Sequence, residues 1–152
     1  MFSAGGDWKL TIKEVAEKYH ISQDTLRYYE RIKMIPEVTR TSGGIRDYQE
    51  EDLKWVELAI CMRSAGLPIE AMIEYVRLFQ QGDKTIPARL ELLNSQMEIL
   101  KEQKNNIEKT MDKLSFKIFR YEEALRTGKL IWKKEKKEWK NLIWSLSSGH
   151  TK

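Results

Sequence analysis

Arg27-Tyr28-Tyr29-Glu30-Arg31 places two guanidinium forks and two phenol rings within about one and a half helical turns, and Arg40, Arg46 and Tyr48 follow a short distance downstream. Guanidinium groups offer several donors in a fixed fork, which suits the O6/N7 edge of guanine and the paired oxygens of a phosphate. Such a set binds a polyanion and breaks no bonds. The other reactive group is Cys61, the one cysteine of the chain, and the two histidines are His20 and His150. One thiol and two distant imidazoles do not make a metal site, so neither a metal nor another cofactor is expected. A cysteine enzyme would need an activating base and a pocket. No CxxC, Gly-rich phosphate loop or nucleophile elbow accompanies Cys61, so no enzymatic activity is expected.

Bulk charge does not by itself argue for nucleic acid. The chain of 152 residues carries a net +4, but from Arg126 onward eight Lys/Arg face only Glu135 and Glu138. That stretch holds +6, so the rest sums to −2 and the basic residues upstream act by arrangement. With 33% charged and 41% hydrophobic residues and no apolar run of membrane-spanning length, a cytoplasmic, helix-rich protein is expected, with no secretory signal. A single cysteine excludes an intrachain disulfide and fits a reducing compartment.

The elements that must hold these residues can be read in order. Residues 1–9 read as a disordered leader. Thr11-Ile12-Lys13-Glu14 has the form of a capping box opening a helix to about Tyr19, and Ser22 can cap a second helix to about Lys33. The pair, joined by a tight turn at His20-Ile21-Ser22, has the pattern of a helix-turn-helix. Pro36 ends the helical reading, and Thr41-Ser42-Gly43-Gly44 between β-compatible flanks predicts a wing. A third helix follows from Glu50 to about Ala65, then Gly66 as a cap, and Pro68 starts a fourth helix through about Gln81.

From Ile86 the period changes. Ile86, Leu90, Leu93, Met97, Leu100, Lys104, Ile107, Met111, Leu114, Ile118, Tyr121 and Leu125 are spaced alternately by four and three residues, and only Lys104 is not apolar or aromatic. A helix with so narrow a stripe needs a partner helix, so a coiled-coil homodimer is expected, with Lys104 setting register. A solvated single helix is the plainer alternative. After a break at Gly128, the tail (129–152) carries Trp132, Trp139 and Trp144 among lysines. Such a tail either packs its rings on the coiled coil or lies on a membrane surface; the packed arrangement is preferred and no membrane partner is expected.

The stretches Thr25-Leu26-Arg27-Tyr28-Tyr29-Glu30-Arg31, Ile35-Pro36, Ser42-Gly43-Gly44-Ile45-Arg46-Asp47-Tyr48 and Glu51-Asp52-Leu53, in this order over about 70 residues, resemble the DNA-binding head of the MerR family. The resemblance implies a mainly α fold: a winged helix-turn-helix over 10–81, a dimerisation helix over 82–128 pairing antiparallel, and a short tail. It implies a homodimeric regulator of promoter DNA, an activator that distorts the promoter spacer and meets RNA polymerase only through the DNA. Arg27, Tyr28 and Arg31 would then read the major groove. Thr25 and Tyr29 would contact phosphate, or Tyr29 would be core; one of Tyr28 and Tyr29 is expected to be structural. Arg40, Arg46 and Tyr48 of the wing would hold the backbone, and Thr11, Lys13, Ser22, Ser42 and Gly44 complete the expected DNA-contact set. Three positions depart from the family pattern: Gln49 and Pro68, where helix-capping serines are usual, and Ile45, in place of a wing aromatic.

Finer detail at Lys54-Trp55-Val56-Glu57 and Cys61-Met62-Arg63-Ser64-Ala65-Gly66-Leu67 is similar to the NmlR/AdhR branch, which is associated with aldehydes and other electrophiles. In that branch a single third-helix cysteine is the proposed sensor, which would give Cys61 that role. The residues alone favour less: a lone thiol on an amphipathic helix is usually an inert core group, and Glu57 one turn away opposes thiolate formation. A regulator of a non-covalent effector, or an architectural DNA-binding protein with no ligand, would share the same head and helix.

Overall fold

The computed structural model describes residues 9–132; the leader through residue 8 and the tail from residue 133, including Trp139, Trp144 and His150, lie outside the described residues. The order is α1 (Ile12–Tyr19), α2 (Gln23–Arg31), α3 (Glu50–Ser64), α4 (Ile69–Gln80), a single 3-10 turn (Asp83–Thr85) and α5 (Ile86–Thr127). Packing divides the chain at Leu100/Lys101.

The first unit is the winged head with the first turns of α5. The capping box forms as the sequence predicts: Glu14 N–H donates to Thr11 Oγ1 and Thr11 N–H donates to Glu14 Oε2 at 2.7 Å, which holds the Glu14 carboxyl below its usual range. His20 closes α1 in the left-handed region (φ 54°), and the Ser22 hydroxyl accepts from Thr25 N–H at 3.0 Å to open α2. Helix α2 ends at Arg31, two residues before the expected Lys33. The cause is packing: Met34 and Ile35 are fully buried, and Lys33 turns through a left-handed φ of 61° to aim them inward.

Val15, Leu26, Val56 and Met72, one from each of the four head helices, have no exposed surface and fix the core, each aliphatic side chain contributing about 1.5–3 kcal/mol. The wing (39–47) is a hairpin with minimal pairing. Arg40 and Arg46 form one antiparallel bridge, and Leu10 pairs with Tyr48 to bind the wing's exit to the start of the head. Gly44 supplies the positive φ of 81° that the wing turn requires. At Gln49, the N-cap of α3, Asp52 accepts the backbone N–H at 2.8 Å. Pro68 is the N-cap of α4 and makes no side-chain cap bond; Ile45 is 68% exposed.

Along α5, the seam residues other than Leu100 and Lys104 are 41–88% exposed. Leu100 differs from the expectation of a pure seam residue, since it packs partly against the head's core, on the side of α5 where Gln96 is buried. In the second unit α5 continues to Thr127 and ends at Gly128 (φ 72°), whose N–H donates to Ala124 C=O. Trp132 then packs edge-on against Tyr121, with Lys117 over its ring. Among the described residues no helix is long and apolar enough to cross a membrane.

Candidate nucleic-acid interface

Ser22 caps the first turn of α2, and the buried Leu26 sets which face turns outward. On the outer face Arg27 is anchored by Asp24 (2.9 Å) and Gln23 (3.3 Å), both one turn back on the same helix. Arg31 lies over the Tyr28 ring at 5.5 Å, and Tyr28 is 38% exposed. The paired tyrosines divide as expected: Tyr29 packs against the core and Tyr28 faces outward. Thr25 shares a 2.8 Å hydroxyl contact with Ser22.

The wing stands beside the end of α2. Ser42, Gly44 and Arg40 are exposed at its turn. Between wing and helix lies a cleft of about 590 Å³ bordered by Arg27, Arg31, Lys33, Arg40 and Arg46, against Glu30 and Glu37. A local cationic excess exists here although the head as a whole is not basic. Lys33 and Gln80 line this cleft and escaped the sequence reading. The signal for Lys33 was its charge just beyond α2, but its left-handed placement is visible only in the fold.

Two wing residues have surroundings that the motif does not reveal. Arg46 is only 23% exposed, and its Nε and a terminal guanidinium nitrogen both donate to Glu30 Oε1, at 3.0 and 2.6 Å. Tyr48 has no exposed surface and is a core residue, not a phosphate contact. Strand alternation explains it: Tyr48 pairs through its backbone with Leu10, and its ring fills the space under the wing. Burial, and then the charge of Glu30, push its phenol up to about 12, and the hydroxyl has no hydrogen-bond partner among the described residues. Thr11 is exposed, but its hydroxyl serves the capping box; Lys13 is exposed on α1.

Cys61 is exposed on α3, against the expectation of an inert core thiol. One turn earlier, Glu57 accepts a 2.6 Å bond from the Tyr19 hydroxyl; burial first and the carboxylate second raise that phenol above its ordinary value. Among the described residues no three His, Cys, Asp or Glu gather as a metal-binding group.

The sequence pattern described as MerR HTH family regulatory protein matches residues 10–78, the stretch that builds the head. The transcriptional regulator AdhR of Bacillus subtilis is 54% identical over 84 residues, which cover 55% of this chain and 60% of AdhR. The chain thus spans about three-fifths of that relative's length. An HTH-type regulator of Haemophilus influenzae is 31% identical over 118 residues, covering 78% of this chain and 87% of its own. Two crystal structures are similar: a MerR family transcriptional regulator from Listeria monocytogenes (37% identity, TM-score 0.75, covering 93% and 99% of the two chains), and HiNmlR, a MerR family regulator lacking the sensor domain and bound to promoter DNA (30%, TM-score 0.72, 80% and 97%). These relatives are named as regulators of transcription, and with the helix-turn-helix, wing and long helix in place the chain belongs to the MerR family.

Proposed function

We propose that the chain binds a promoter as a homodimer, with α2 in the major groove and the wing along the backbone. The observation that carries this is the outer face of α2, where Arg27, Tyr28 and Arg31 stand exposed and pre-anchored on a helix of the head. Arg27 and Arg31 read base edges, Tyr28 supplies an apolar face, and Lys13, Thr25, Arg40, Ser42 and Gly44 meet phosphates. Support comes from HiNmlR, whose structure is bound to promoter DNA.

Residues 82–128 form the dimerisation element. The exposed stripe from Ile86 to Leu125 exceeds what a lone helix in water tolerates, and a second copy running antiparallel buries it. The two heads then sit about one helical turn of DNA apart, or a small multiple of it. As an activator the dimer distorts the promoter spacer, at a cost on the order of 1–6 kcal/mol met by protein contacts, and polymerase senses it through the DNA alone.

Cys61 is the point at which an aldehyde or related electrophile acts. Its exposure, and the 54% identity with AdhR over a stretch of 84 residues, support that role. The effector must bind the distorting state better than the other, or it shifts nothing. Footprinting on the chain's own upstream region, with and without a reactive aldehyde, tests the whole reading: protection with aldehyde-dependent hypersensitivity in the spacer is expected. Protection that never changes would leave an architectural DNA-binding protein.

A further inference from the structure

We propose that Glu30 is the positioning residue that locks the wing onto the recognition helix, so that both meet DNA as one preset surface; this rests on the DNA-binding reading above. A carboxylate in a DNA-facing cleft opposes binding by charge, so its place there needs another cause. Glu30 lies in the last turn of α2, with its side chain 9% exposed. Oε2 accepts the Val38 N–H at 2.7 Å, and Oε1 accepts Arg46 twice (2.6 and 3.0 Å) and Arg40 at 3.3 Å. Four donors nearly saturate a carboxylate.

Those donors span the wing. Val38 enters it, Arg40 and Arg46 form its bridge, and Arg40 also donates to Gly44 C=O at 2.8 Å, at the turn. The wing's own backbone bonds, Thr41 N–H to Ile45 C=O and Asp47 N–H to Thr39 C=O, keep its shape but not its position. The buried Val38 and Tyr48 and the Leu10–Tyr48 pairing fix the two ends of the wing, and between them its position comes from side chains of neighbouring helices: Glu30 of α2, and Asp52 of α3, which accepts Thr39 N–H at 3.4 Å. Glutamine cannot replace Glu30, because its amide group would set donor against donor at either Val38 or the guanidinium groups. Arg46 accordingly acts through Glu30 and not through a phosphate.

Amide exchange and DNA binding of the full chain test this with E30Q, E30D, R46K and R46A. In free E30Q, and in E30D with its shorter reach, the amides of Val38, Thr41 and Asp47 should exchange faster while those of α1 and α3 hold. Anisotropy on a duplex enriched from a random pool by the unmodified protein should show E30Q and R46K binding roughly tenfold more weakly. Binding to random duplex should not fall, so specificity drops, which a general loss of folded protein would not produce. R46A should weaken specific binding without flattening the salt dependence. Unchanged wing exchange overturns the tether. Equal or tighter specific binding by E30Q, together with a salt slope flattened by about 0.9 in R46A, would mean that Arg46 leaves Glu30 for a phosphate, and also overturns it. Should the unmodified protein enrich no duplex, the DNA-binding reading fails, and wing exchange still decides whether Glu30 holds the wing.

Discussion

The Tyr19 hydroxyl donates a 2.6 Å hydrogen bond to Glu57 Oε1, joining the C-terminal turn of α1 to the middle of α3 across 38 residues of sequence. It is a charge-assisted contact at a half-exposed site, so its net worth is modest. Tyr19→Phe is expected to lower stability by about 1 kcal/mol in urea unfolding at pH 7. An unchanged midpoint would mean that solvent replaces the bond at no cost.

Tyr48 gives the opposite expectation. Its hydroxyl is buried without a partner among the described residues, so Tyr48→Phe should leave stability at pH 7 unchanged or raised by up to about 1 kcal/mol, with operator affinity held within about twofold. The pH dependence has a definite sign. The folded phenol titrates near 12 against 10 for the ordinary group, so its contribution is complete below pH 10 and disappears between about pH 10 and 12. Tyr19 shifts the same way. Unfolding curves should therefore be flat to about pH 9.5 and fall above it, less steeply in the Phe variant. A large loss of DNA affinity in Tyr48→Phe would restore this residue to the interface.

Arg27→Ala should cost about 1–3 kcal/mol on the selected site and relax base preference at one or two positions, read from competition among single-base variants. Lys13→Ala should weaken all duplexes alike and reduce the salt slope by about one. If Arg27→Ala weakens every duplex equally, it is a phosphate contact and α2 does not read sequence through it.

Cys61→Ser is expected to bind operator as the unmodified chain does and to lose the aldehyde response, measured by transcription from the target promoter in vitro. The thiol is exposed on α3, so serine leaves no cavity and stability should stay within about 0.5 kcal/mol. A full response from the serine variant removes Cys61 from the mechanism.

The helices were legible because each carries its own signals: the Thr11 box, the Ser22 cap, and the heptad spacing from Ile86. The outward placement of Tyr28 was legible only as one of two choices, since adjacent tyrosines on a helix differ by about 100° and the sequence does not say which faces the core. The partners of Arg46 and the burial of Tyr48 were hidden for one reason. A "GxRxY" wing places arginine and tyrosine on a hairpin without saying that Glu30, some sixteen residues earlier, captures the first, or that Leu10 pairs with the second. Long-range partners of this kind are invisible to local pattern. A lone thiol on an amphipathic helix usually packs inward, but Cys61 falls on the solvent side of α3.

In the proposed function two chains grip one duplex, and sedimentation velocity with a labelled operator reads that directly. Two chains per duplex are expected for the unmodified protein. With Leu114→Asp on the exposed stripe, single chains and much weaker binding are expected. A monomer at micromolar concentration that forms no complex with promoter DNA at low salt would contradict it.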